Sequence, residues 1–196
     1  MKTLALKYTL SKTIKTYKEH QLNNLLESLI KHKISINDNV VKKNAVISSF
    51  IKTNEAINKA ESKEKFDFLL SLYANGFNSG DIFNNIDQYN ETIQSLGDMS
   101  HREISFIYLL DNYTKNNNES TIGFSKFNDE LSNLFHKELK LNNEEQESMT
   151  RRLYRTGFIL SVTTMDGGLW PRVSPLYKDV LHFINQEWDS TRLILT

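Results

Sequence analysis

No cysteine occurs among the 196 residues, so neither a disulfide framework nor a thiolate metal site can support the fold. The lack fits a reducing compartment, and a cytoplasmic location is expected. Glycine and proline are scarce, at seven and two residues, which argues against a linker-rich or disordered chain. Both prolines come late, at positions 171 and 175. No run of about 18 apolar residues exists, so no transmembrane helix is expected. The first ten residues are too short a stretch, and too interrupted by Lys2 and Lys7, for a signal peptide. Arginine is missing from residues 1–97 altogether.

What is present is ordinary for a globular protein: 39% hydrophobic and 24% charged residues, with no net charge. That zero conceals an asymmetry. Residues 1–60 hold 11 lysines and four acidic residues, a net +7, while residues 98–196 carry five lysines, six arginines and 14 acidic residues, a net −3. Any electrostatic pull toward nucleic acid or anionic lipid therefore lies in the N-terminal third. Lys12, Lys15 and Lys18, with His20, fall within one amphipathic stretch. They read as a solvated helix face, and the missing arginine weakens a phosphate-binding role, since guanidinium is the better bidentate ligand.

Apolar spacing predicts helices over most of the chain. Residues 11–33 carry Ile14, Tyr17, Leu22, Leu25, Leu26, Leu29 and Ile30 on one face. A second helix runs from Asn37 or Asp38 to Lys59. These two form an antiparallel pair and a candidate homodimer surface. A third helix spans residues 62–75 with Gly76 as its stop, and a fourth spans residues 81–96 with Gly97 as its stop. Ser100 and Glu103 form a capping box that opens a fifth helix. A sixth covers residues 125–139. Short strand-like runs at residues 3–9 and 191–196 are candidates to pair with each other.

Residues 142–188 then show a helix ending at Gly157, a strand over residues 158–164, a turn at Asp166-Gly167-Gly168 and a return strand over residues 169–173. Ser174 caps a closing helix that begins at Pro175. The order from Ser100 onward is helix, helix, helix, strand, strand, helix, the order of a winged helix-turn-helix. The expected architecture is mainly α: a helical N-terminal region over residues 1–97, then a winged-helix-like domain with a small β-hairpin over residues 98–196.

Three runs follow one another as they do in uncharacterised bacterial helical proteins. They are Glu64-Lys65-Phe66-Asp67-Phe68-Leu69-Leu70-Ser71-Leu72-Tyr73-Ala74-Asn75-Gly76, then Asp98-Met99-Ser100-His101-Arg102-Glu103-Ile104, then Arg152-Leu153-Tyr154-Arg155-Thr156-Gly157-Phe158-Ile159. The chain thereby resembles proteins similar to the abortive-infection alpha group, which is associated with phage defence. The resemblance spans roughly residues 20–185 and rests on helix caps and core positions. It implies a bacterial or phage-borne protein without a known enzymatic activity, and brings no functional residues with it.

No motif for catalysis emerges. The histidines at 20, 32, 101, 136 and 182 form no metal-ligand spacing, so no metal or cofactor is expected and each reads as a surface or helix-face residue. Acidic residues fall mainly on what read as exposed helix faces. The glycine-containing runs lack the context of a phosphate loop, and no nucleophile elbow occurs. The sharper question is DNA. A recognition helix meets base edges with its N-terminal part. Here that part is Asn142-Asn143-Glu144-Glu145-Gln146-Glu147, and its three carboxylates would face a duplex carrying one charge per ~1.7 Å. That penalty outweighs what a Gln or Asn side chain could gain from a base. Arg151, Arg152 and Arg155 lie in the last turns, where they complement the helix dipole and can pair with Glu147 or Glu144. Arg172 is the one cation on the wing strands. Trp170 reads as sealing the hairpin against the closing helix together with Trp188, or, if exposed, as a partner-binding anchor. The favoured reading is a non-enzymatic interaction protein whose winged-helix domain docks a protein partner. The alternative is a winged-helix transcriptional regulator. Arg151, Arg152, Arg155, Trp170 and Arg172 are the candidate contacts in either case.

Overall fold

The structure is a computed structural model, and it describes residues 44–117, 124–163 and 169–183 together with the isolated positions Thr16, Glu19, Asn23 and Glu27. Those four positions are helical and exposed. Apart from those four positions, the expected helix over residues 11–33 and its dimer surface lie outside the described residues, as do the strand-like termini, the hairpin turn and Trp188. The chain divides into two compact units, Met1–Asp98 and Met99–Thr196. Its architecture is mainly helical, with a winged-helix-like arrangement that includes a small antiparallel hairpin.

In the first unit, α1 (Asn44–Ile57), α2 (Lys63–Ser79), the single turn α3 (Asp81–Asn84) and α4 (Ile86–Asp98) pack around Ile57, Phe68, Leu69, Leu72, Ile82 and Ile93, all essentially without solvent contact. Ser62 caps α2, its side chain accepting the Lys65 N–H. The helix then runs through Gly76 and stops only at Gly80, whose φ of 84° is the left-handed conformation of a C-cap. The expectation that Gly76 ends the helix is corrected by a close approach: a Cβ there would lie 3.0 Å from the Tyr89 ring. Gly97 likewise sits within α4, because a Cβ there would meet the Ala56 Cβ at 2.7 Å. The expected fourth helix is broken at Asn85 (φ −137°, ψ 51°), which separates α3 from α4.

The second unit begins at Ser100, whose reciprocal capping box with Glu103 opens α5 (His101–Asn116) as expected. Then come α6 (Phe124–Leu139), α7 (Asn143–Tyr154), β1 (Ile159–Thr163), β2 (Leu169–Val173) and α8 (Pro175–Phe183). Between α6 and α7 the chain turns in three residues, with Lys140 at φ 55° and Leu141 buried beneath the turn. α7 ends at Tyr154 with Arg155 as its C-cap, earlier than the expected stop at Gly157, which at φ 75° instead lies in the turn that leads into β1. β1 and β2 pair antiparallel with Ser161 opposite Pro171. Ser174 accepts the Tyr177 N–H at 3.4 Å and so caps α8. The core joins Ile104, Phe106, Ile107, Leu110, Leu153, Phe158 and Val180.

Candidate partner-binding surface of the second unit

The surface is built on α7, the helix that takes the recognition position in a winged helix. Its N-terminus is fixed by a second capping box, in which Asn142 Oδ1 accepts the Glu145 N–H at 2.9 Å and Glu145 Oε2 accepts the Asn142 N–H at 2.9 Å. Three hydrogen bonds of one side chain hold α7 to α6 and to the turn between them. Gln146, only 9% exposed, donates through Nε2 to the carbonyls of Ser132 and Leu141, at 3.1 Å each. Its Oε1 accepts from the Ser132 hydroxyl at 2.9 Å. By position in sequence Gln146 is one of the amides open to a base; the clamp turns it inward, and its hydrogen-bonding capacity is used inside the unit.

What α7 leaves in solvent at this end is acidic: Glu144, Glu145 and Glu147 are all exposed. The arginines are placed as follows. Arg151 is exposed and pairs with Glu147 at 2.5 Å, the i,i+4 arrangement its spacing predicts. Arg152 pairs instead with Glu103 of α5, Nε to Oε1 at 3.3 Å. The expected pairing of Arg152 with Glu144 or Glu147 is thus replaced by one that ties the end of α7 to the start of α5. Glu103 is well placed for this, being already held by its capping box and mostly buried. Arg155, at the C-cap of α7, and Arg172 on β2 are exposed and make no ion pair among the described residues. Asp111 departs from the expectation that acidic side chains lie on exposed helix faces, being buried with its carboxylate 2.6 Å from the Lys115 ammonium.

A groove of about 410 Å³ runs between α6, α7 and the hairpin. Beneath it lies the core: Phe106 and Phe135 stack with ring centroids 3.9 Å apart, and both are buried, as is Leu131. Thr150 and Tyr154 form the α7 wall, and Trp170 with Pro171 the hairpin wall. Trp170 is half-buried and meets Phe127 of α6 edge-on at 5.4 Å. The expected sealing of the hairpin by Trp170 together with Trp188 involves residues outside those described. Phe127 in turn meets Tyr113 at 4.8 Å, and the Tyr113 hydroxyl donates to Glu130 at 2.8 Å. Sequence reasoning misses the aromatic chain that holds the wing to α6, since nothing in the spacing of Tyr113, Phe127 and Trp170 announces that they meet. The Asn128 side-chain oxygen in the groove wall is buried without a hydrogen-bond partner.

The site brings Arg151 and Trp170 to one groove and leaves Arg152, Arg155 and Arg172 off its lining. Among the described residues no group of three or more His, Cys, Asp or Glu side chains could hold a metal ion. No helix among them is long and apolar enough to cross a membrane. Searches of protein-family models, curated proteins and solved structures return no match to the chain.

Proposed function

We propose that the protein is a non-enzymatic interaction protein whose winged-helix-like unit docks a protein partner at the groove beside α7. A helical bundle with a winged-helix-like element is a fold used for both protein and DNA binding. The single observation that carries the choice is the charge at the start of α7. Glu144, Glu145 and Glu147 are exposed where a DNA reader would meet base edges, and Gln146 is engaged in the α6 clamp. Bringing three carboxylates against a polyanion is unfavourable, and the clamped amide cannot offset it. The groove supports the protein-docking side: half-buried Trp170 and Pro171 face Tyr154 and Thr150 across it, and a partly exposed tryptophan is the kind of side chain on which partners anchor. The resemblance to abortive-infection alpha proteins adds a phage-defence setting to the proposal.

The alternative regulator reading draws on Arg155 and Arg172, two exposed cations that form no ion pair among the described residues. A gel shift separates the two readings. With random duplex at low salt, the wild-type protein at micromolar concentration is expected to cause no retardation. The triple variant Glu144→Lys, Glu145→Lys, Glu147→Lys is expected to retard the duplex, with a log–log salt slope steeper by about 0.9 for each phosphate that the new lysines neutralise. Retardation by the wild type would replace the docking reading with the regulator.

A further inference from the structure

The hairpin has two unlike edges. β2 carries Pro171, which lacks an N–H to offer a neighbouring strand, and Arg172, which is exposed. Both are devices that blunt an edge. β1 has neither: its sequence is Ile-Leu-Ser-Val-Thr, with no charge, proline or glycine. Among the described residues β1 pairs with β2 alone, and no other described strand stands against the N–H and C=O groups of its second edge. Four residues in a row, from Leu160 to Thr163, are exposed. Leu160 and Val162 share one face, are 48% and 38% exposed, and are two of the four large hydrophobic side chains that stand exposed among the described residues. An uncharged, apolar, unprotected edge is a template for one more strand.

We propose that β1 pairs antiparallel with β1 of a second copy about a twofold axis at Ser161, joining two hairpins into a four-stranded sheet. Charge selects a second copy as the occupant. Self-pairing about a twofold axis sets a residue on the axis opposite its like and its neighbours diagonal to theirs, and β1 holds no charge that this would repel. Register agrees. With Ser161 opposite its counterpart, Leu160 of each copy lies opposite Val162 of the other on the exposed face, and symmetry makes that aliphatic pair twice. Centring on Leu160 instead would set Val162 against Phe158, which is fully buried. The affinity comes from main-chain hydrogen bonds, with the two aliphatic pairs fixing register.

The absence of native cysteine makes the test direct. The full-length protein is expected to scatter light with a mass near twice 22.8 kDa. Ser161→Cys is expected to convert to a covalent dimer under mild oxidation, since directly opposed residues hold their Cβ atoms about 4.5–5.5 Å apart. Ser148→Cys, exposed on α7, is expected to remain a single chain. Val162→Lys, a gatekeeper on the outward face, is expected to weaken the dimer by about tenfold or more while leaving the thermal midpoint of the single chain in place. A mass near one chain at working concentration overturns the proposal. So does a dimer in which Ser161→Cys fails to cross-link and Val162→Lys associates as tightly as the wild type, which would put the contact elsewhere, as on the N-terminal helices.

Discussion

Gly97 lacks a side chain because Ala56 occupies the space one would need. The nearest atoms to a built Cβ are the Ala56 Cβ at 2.7 Å and its Cα at 2.9 Å. Neither belongs to a flexible side-chain tip, so α1 and α4 themselves would have to part. Lys65, a buried lysine of α2, donates to the Gly97 carbonyl at 2.7 Å. A cation at that place complements the C-terminal end of α4. Gly97→Ala is therefore expected to destabilise the first unit by about 1–3 kcal/mol, the usual cost of overpacking a tight contact. Thermal melting followed by circular dichroism checks this: a midpoint equal to the wild type would mean that the helices separate without cost.

At the scale of elements, the two capping boxes do similar work at the starts of α5 and α7, through Ser100 with Glu103 and Asn142 with Glu145. Asn142→Ala is expected to cost about 1 kcal/mol, since it orphans the Glu145 N–H and frees the Glu145 carboxylate. Asn142→Asp, which keeps the accepting oxygen, is expected to retain most of that stability. Urea unfolding decides it, with the midpoint lowered for the alanine variant at an unchanged slope. Much of this level could be read in the chain. Ser62, Ser100 and Ser174 announce their boundaries because a cap is a local requirement, met by the residue itself. Gly76 and Gly97 could not be read this way. A glycine that ends a helix and one that admits a neighbour look alike until the neighbour, Tyr89 or Ala56, is in place. The groove was legible only in part. The signs of Glu144, Glu145 and Glu147 are in the sequence, whereas the inward turn of Gln146, the Arg152–Glu103 pair and the seat of Trp170 on Phe127 depend on long-range packing.

Across the whole molecule, buried hydroxyls set a limit to stability in alkali. In the first unit Tyr89 is fully enclosed, and burial drives its ionisation well above the ordinary tyrosine value, against the lowering effect of its hydrogen bond with Thr53. Burial raises Tyr73 as well, partly offset by Ser49. In the second unit burial, then the charge of Asp111, pushes Tyr177 up. Tyr113 is raised to about 12, by desolvation first and then by its bond to the Glu130 carboxylate. An unfolded chain releases these protons near pH 10. Above that pH the unfolded state binds fewer protons than the folded one, so the unfolding free energy falls as pH rises. The stability in question is fully present below about pH 10 and declines above it; the share of Tyr113 is lost through about pH 12, while Tyr89 and Tyr177, raised further, go on losing theirs at higher pH. Urea midpoints measured from pH 8 upward are expected to stay level and then decline across this window. Tyr113→Phe is expected to make the decline shallower while leaving its onset in place, since the buried Tyr89, Tyr73 and Tyr177 still resist ionisation. A midpoint that held constant through the window would mean that these hydroxyls reach solvent without unfolding, and that neither core is as closed as its packing requires.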